Sequence, residues 1–518
     1  MARSLYAQLH TRFGPQTIDG VSRRDALKAC AAAAATLWLA DRSLAGIGSP
    51  RQPELPKPDL SRNTPNRVIV VGAGFAGLSC AMELMDLGYD VLVLEGRGRV
   101  GGRVQSLADF VDGAIVEGGA EFIGANHPTW LGLARLLRLQ LLDVDALPEH
   151  AGRPPVYIGG KLLNEQEARG LYEEMGAAMD RLTKLAEPID ARKPWESPGA
   201  AELDRLTVAS WIRADSASEL CKAALNLQFE ADNGVPTAWQ SLLAMLAMIK
   251  GGGLADFWTR SEIFKCIGGN QELARRMQLR LTSERVKFAT PVASIDTTAD
   301  LATVTDTGGN RFQAHDVVLT VAPAAWDAIE FTPCLPPGLR VQTGRNIKYL
   351  SAVKGDFWTS QGLSPETISE GEVTLTWEAT AGQAHVHQPV LTAFAGGAMA
   401  DASLRLEPEQ RIAGFRAALE RLYPGYGEAV TDTRYMGWPH DRWSRCSYSF
   451  PAPGELGACG RVVRDGIGRL HFAGEYACPG FVGYMEGALD SGVRIARHLA
   501  ARDGKAPPPS PTTKNTGQ

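Results

Sequence analysis

The chain has 518 residues, 44% apolar and 21% charged, with a formal net charge of -5 and nine histidines. That length holds more than one domain and buries a large core. The near-neutral balance removes any bulk electrostatic case for nucleic acid or an anionic membrane. Eight cysteines without C-x-x-C pairing argue against a zinc site and do not demand a disulfide framework.

The N-terminus reads as an address. Ser22-Arg23-Arg24-Asp25-Ala26-Leu27-Lys28 matches the twin-arginine pattern, departing from it at Ala26, where a bulkier apolar residue is commoner. An alanine-rich run, Ala29 to Ala40, follows, too short to span a bilayer comfortably, and then a small-residue cleavage site, Ser43-Leu44-Ala45. Residues 1–45 are therefore expected to be a leader read by the Tat export machinery, delivering a folded protein to the periplasm or the exterior. Proline-rich 46–65 reads as a linker.

Organisation begins at Arg67. Val68 to Val71 is a short β-branched run suited to a buried parallel strand. Gly72, Gly74 and Gly77 follow in G-x-G-x-x-G spacing, with Phe75 and Ala76 opening an amphipathic helix that runs to Leu87. Such a turn brings backbone N–H groups up to a pyrophosphate at a helix N-terminus. A second strand, Val91 to Leu94, ends in Glu95, the acid placed to accept ribose hydroxyls. Gly96, Arg97, Arg99, Gly101, Gly102 and Arg103 then form a second basic, glycine-rich turn, R-x-R-V-G-G-R. This stretch resembles the FAD-binding N-terminus of the flavin amine oxidases, the family of monoamine, polyamine and L-amino-acid oxidases.

The resemblance implies an α/β two-domain flavin amine oxidase fold. A discontinuous Rossmann-type FAD domain would combine 66–128, 262–340 and 430–502, and a sheet-and-helix substrate domain 129–261 and 341–429. By the same resemblance Gly118, Gly119, Ala120 and Glu121 belong to the cofactor site, the glycine pair against the flavin ring. L-amino-acid oxidases often carry a carboxylate-binding arginine just after these small residues; Glu121 and Phe122 stand there instead.

Mostly helical patterns follow at Trp130–Leu141, Gln166–Leu185, Ala217–Phe229 and Trp239–Ile249, with a glycine-rich loop at 250–254. Past Cys266-Ile267-Gly268-Gly269 the chain returns to the FAD domain, where the resemblance puts Val292 at the adenine side. Arg345 to Leu350 reads as a mostly buried strand carrying Lys348, and a lysine among apolar positions is costly unless paired or hydrated. In the family, a lysine with an aromatic pair similarly downstream, here Phe357-Trp358, contacts flavin N5 through a water. His385 and His387 lack nearby acidic partners and read as surface residues.

Trp438 to Tyr448 resembles the segment from a flavin-side tryptophan to the first tyrosine of an aromatic cage. Mammalian-type enzymes tether FAD through a cysteine just before that tyrosine; Ser447 stands there and Cys446 is one place off, so non-covalent FAD is expected. Leu470 to Gly474 ends a strand, and a helix begins near Met485. The resemblance gives Gly474 and Glu475 to the cofactor shell, a backbone contact to Met485, and the second cage tyrosine to Tyr484. Residues 503–518 read as a disordered tail.

The resemblance implies oxidative deamination of a primary or secondary amine by hydride transfer from the α-carbon to flavin N5, with Lys348, Tyr448 and Tyr484 as catalytic groups, O2 as acceptor and H2O2 as product. Three alternatives stay open: an L-amino-acid oxidase of the same fold, an amine dehydrogenase feeding a periplasmic acceptor, and a flavin-binding partner subunit without turnover. A homodimer is compatible with all of them, and no metal is expected.

Overall fold

The computed structural model describes residues 4–14, 17–18, 21–22, 66–148, 150, 152–384, 386 and 388–505. The twin-arginine pair, the linker, His385, His387 and 506–518 lie outside the described residues, whereas Asp503 and Lys505, expected in the disordered tail, are bonded into the fold through Tyr89 Oη and Gly88 O. Continuous apolar runs make a five-stranded, all-parallel sheet in the order Val286–Lys287, Asp90–Leu94, Arg67–Val71, Asp316–Leu319, Leu470–Phe472. Such a sheet needs both faces covered. Helices Phe75–Asp86 and Met485–Arg502 pack together over it, joined where Ser79 Oγ donates to Leu489 O at 3.0 Å. A four-stranded sheet, Arg311–Ala314, Ala302–Asp306, Val292–Asp296 and Glu330–Thr332, lies beside it.

The second large layer is a seven-stranded mixed sheet in the order Val430–Met436, Asn346–Val353, Val390–Gly396, Leu375–Glu378, Thr367–Ser369, Val156–Ile158, Lys161–Leu162. Asn346–Val353 pairs antiparallel on both sides and is buried at every position, so Lys348 is not an edge-strand residue reaching solvent. Helices Glu165–Ala186, Glu219–Asn233, Leu242–Gly251 and Ala255–Arg260 build one core with part of this sheet. Glu165–Ala186 starts at a capping box between Asn164 and Glu167.

Two local readings change. The helix expected over Trp130–Leu141 spans Pro128–Leu136, because Arg138 turns the chain at φ +56° and Leu141–Asp143 pairs with Phe264–Cys266. Of the glycine-rich 250–254 segment, Lys250 and Gly251 finish helix Leu242–Gly251 and only 252–254 form the connection to Ala255–Arg260, where Asn126 Nδ2 donates to Gly252 O at 2.7 Å. Inside the expected leader the described residues form a helix and a short antiparallel pair, Thr17–Ile18 with Val21–Ser22. Leu5–Phe13 is a helix capped by Ser4, packed against Glu165–Ala186 and Ala255–Arg260.

Candidate active site

A cavity of about 1830 Å³, its open mouth included, runs from the first glycine turn to Tyr448 and Tyr484. Gly72 has φ +112°, and a Cβ on Gly77 would lie 1.9 Å from Gly72 O, so both positions need glycine. Gly74 turns bare backbone outward: a Cβ there would meet nothing. Helix Phe75–Asp86 thus points its N-terminus, with its unsatisfied N–H groups and positive dipole end, at open space. Glu95 is buried beside it and accepts Ala73 N–H at 2.7 Å and Arg97 N–H at 2.8 Å.

Of the residues expected at the cofactor, Gly72, Gly74, Phe75, Ala76, Glu95, Gly96, Arg97, Gly102, Arg103, Gly119, Ala120, Val292, Trp438, Gly474, Glu475, Tyr484 and Met485 line this one cavity. Lys348 and Tyr448 line it as well. Three stand back from it. Gly77 packs under Gly72, Gly118 accepts Trp438 Nε1–H on its carbonyl at 3.0 Å, and Glu121 lies behind Lys348. Arg103 Nη1 donates to Glu475 Oε1 at 3.0 Å and to Ser447 O at 2.7 Å, drawing three distant segments together. Glu475 also accepts from Ser449 Oγ at 3.1 Å and Gly483 N at 3.1 Å, so that one buried carboxylate fixes the loop leading to Tyr484.

The lysine's partner explains its burial. Lys348 Nζ donates to Glu121 Oε2 at 2.7 Å and to Glu117 O at 3.1 Å, which leaves one proton for the cavity it lines. Glu121, 1% exposed, also pairs with Lys265 Nζ at 2.7 Å and accepts Trp377 Nε1–H at 2.9 Å. Burial alone would push the Glu121 carboxyl upward; the two ammoniums overrule it and hold the group at about 2. One ionised carboxylate between two cations leaves this corner net positive. Lys265 was not singled out in the sequence, although it follows Ile263-Phe264 and precedes Cys266, the same apolar setting that marks Lys348.

The tyrosines are fixed differently. Tyr448 Oη donates to Asp232 O at 2.8 Å, and the Tyr484 ring meets the His127 ring edge-on at 5.4 Å between centroids. Burial, followed by the nearby Asp232 and Glu262 carboxylates, raises both phenols well above their ordinary value, so they stay neutral. Tyr484 is also a wall of a second, small chamber, which Gln228, Asp232, Trp258 and Glu262 help to line. Burial and neighbouring Glu262 push the Asp232 carboxyl well above its usual range, and its Oδ1 is buried without a hydrogen-bond partner. Nothing in the local sequence marks these two acids: Asp232 stands on Glu219–Asn233 and Glu262 in the turn after Ala255–Arg260, and only the tertiary fold brings both behind the tyrosine.

The sequence profile of the flavin containing amine oxidoreductase family matches residues 75–500. The chain belongs to that family. It is 29% identical over 472 residues to human amine oxidase [flavin-containing] B, covering 85% of this chain and 87% of that one. Cyclohexylamine oxidase from Brevibacterium oxydans IH-35A superposes with a TM-score of 0.74 at 25% identity, over 85% of this chain and 99% of that one. Wild-type putrescine oxidase bound to putrescine matches with a TM-score of 0.74 at 26% identity, over 84% and 99%. The protein is thus an FAD-dependent amine oxidase with the expected α/β architecture, a parallel Rossmann-like sheet joined to a mixed substrate sheet. No group of metal-ligating side chains occurs among the described residues of this oxidase.

Proposed function

We propose that this oxidase deaminates an amine that carries no carboxylate and reacts as the free base, using non-covalently held FAD and O2, after export through the twin-arginine route. The choice against an amino acid rests on one observation. The chamber behind Tyr484 is lined by the carboxyls of Asp232 and Glu262 and by no arginine or lysine, so it offers a substrate carboxylate no side-chain cation to pair with. The arginines in the main cavity wall are engaged elsewhere: Arg97 with Asp441, Arg103 with Glu475, Arg442 over Trp443 and Arg445 with Asp327.

The residues fit FAD. The bare Gly74 backbone and the free helix N-terminus suit a diphosphate, and Glu95 retains lone pairs for ribose hydroxyls. When bound, FAD supplies the two-electron acceptor that takes hydride from the amine α-carbon and passes the electrons to oxygen. The chain's own residues do the rest. Tyr448 and Tyr484, neutral and rigidly held, orient the amine and exclude water. Lys348, clamped by Glu121, presents a fixed cation and one unused N–H where negative charge accumulates. Loss of hydride leaves a C=N bond; water adds to its carbon, and ammonia departs as the aldehyde or ketone forms.

Non-covalent binding is supported by Cys446, which is buried outside the cavity wall, and whose thiol burial pushes up to about 11 despite Arg103. Ser447 does face the cavity, but its hydroxyl is bonded to Asn346 O at 2.9 Å. Acid precipitation of the holoenzyme should release all flavin into the supernatant; yellow retained in the pellet refutes that part. Export is supported only by the Ser22 to Ala45 pattern. Anaerobic bleaching of the flavin against amines and L-amino acids tests the substrate class. Bleaching by amines is expected, and bleaching by amino acids alone would overturn the reading.

A further inference from the structure

The first helix lies in the stretch expected to serve only as a leader, yet it is built into the substrate layer. Leu5 and Leu9 are 1% and 0% exposed, in the same core as Tyr484. Tyr6 stacks on Tyr172 at 5.3 Å, and His10 Nδ1 lies 2.9 Å from Tyr172 Oη. At the far end Arg12 Nη1 donates to Gly152 O at 3.0 Å, and the Arg169 guanidinium sits 4.9 Å from the Phe13 ring. A helix anchored along its whole length, by leucines, an aromatic stack and an arginine, is a component of the fold.

Its N-terminal end does something more specific. Ser4 N–H donates to Glu262 Oε2 at 2.9 Å, and Tyr6 N–H donates to Gln228 Oε1 at 3.0 Å. The helix therefore sets its positive end on the acidic chamber. Ser4 and Ala7 line the chamber together with Asp232, Glu262 and Tyr484. With the helix in place the chamber has room for about one water-sized group. Without it, Glu262 and Gln228 lose main-chain partners and the chamber loses that wall.

We propose that residues 4–14 are a specificity-determining wall of the amine site, retained by the folded enzyme, and that Ser4 and Ala7 limit how far a substrate can extend beyond Tyr484. This rests on the amine oxidase reading above. It also means that a cut after Ala45 does not by itself free the segment, which remains seated through its own contacts.

The test uses the full-chain holoenzyme and a homologous series of n-alkylamines. In Ala7→Leu the added bulk projects into the chamber, and kcat/KM for the longest accepted amine relative to the shortest is expected to fall about tenfold, the usual worth of one methylene's fit in a pocket. A protease site placed within 46–65 provides the second arm. After cutting, the N-terminal peptide is expected to co-elute with the enzyme, and its displacement from a Leu5→Ala/Leu9→Ala form should extend the series to longer amines. An unchanged length profile in Ala7→Leu, or a peptide that leaves on cutting without altering the profile, overturns the proposal. Failure of every amine in the parent enzyme would instead overturn the amine oxidase reading on which it rests.

Discussion

Replacing Glu121 by glutamine removes the one charge that two buried ammoniums share. Glu121 is held at about 2 in the fold against an ordinary 4.5, a difference worth about 3 kcal/mol at neutral pH. Removing one partner of a buried pair gives a similar figure by a separate route, about 3–5 kcal/mol, because an uncompensated ion is left inside. Here two are left: the Lys348 and Lys265 side chains are only 7% and 11% exposed. Unfolding entropy scales with chain length, so 3 kcal/mol corresponds to a fall of roughly 3 °C in the melting midpoint if the chain melts as one unit. The sign with pH is fixed as well. A depressed carboxyl contributes fully above its unfolded value of 4.5 and loses that contribution as pH falls toward about 2, so the gap between wild type and Glu121→Gln should close over that window. Differential scanning fluorimetry of the holoenzyme measures it. Adding Lys265→Met, which removes one stranded ammonium, should restore most of the loss. A midpoint within about 1 °C of wild type at pH 7, or a double variant no better than the single, would falsify the shared-carboxylate account.

Much of the FAD half was legible because its signals are local. Val68 to Val71, the three glycines and Glu95 lie within one βαβ unit, and each residue's task follows from backbone geometry a few positions away. Lys348 was legible for a different reason: an ammonium among apolar neighbours demands a partner, whatever that partner is. Its identity was not, since Glu121 stands 227 positions earlier and lies on a segment whose small residues suggested a contact with the ring. Asp232 and Glu262 were hidden for the same reason, as two ordinary acids on separate elements until the tertiary fold closes them behind Tyr484. The first helix shows a third kind of miss. Leu5, Leu9 and Phe13 recur at helical spacing, but the twin-arginine motif downstream marks the same stretch as an export leader, which needs no packed partner. A short amphipathic helix has too little propensity to declare itself; the hydrophobic surface it covers lies elsewhere in the chain.

Two further predictions concern the cage and the layer beneath it. Tyr448→Phe keeps the ring and loses the hydroxyl's hydrogen bonds to Asp232 O at 2.8 Å and Ala231 O at 3.5 Å, so it should cost about 1 kcal/mol of stability and leave amine bleaching within about tenfold of wild type. Tyr448→Ala, which opens the slot, should cost far more activity; equal losses in both would mean that the hydroxyl, not the ring, is what matters. The second prediction concerns Glu117, which accepts Ser106 Oγ–H at 2.9 Å and Asn270 N–H at 2.7 Å, and whose carboxyl burial pushes up to about 7, with the Glu121 charge adding to the rise. Below 4.5 the group is neutral in both states and contributes no pH dependence. Between 4.5 and about 7 the unfolded chain ionises while the fold keeps its proton, so stability falls as pH rises, by about 3 kcal/mol in all, and then levels off. Glu117→Gln cannot ionise and can still accept the Asn270 N–H. Its melting midpoint relative to wild type should therefore climb by roughly 3 °C from pH 4.5 to pH 7 and stay flat beyond. Glu455 and Glu486, which burial likewise raises to about 7, titrate identically in both proteins and cancel in the difference. A difference independent of pH would mean that Glu117 stays ionised throughout, and that the corner beneath Lys348 holds two carboxylate charges against its two ammoniums instead of one.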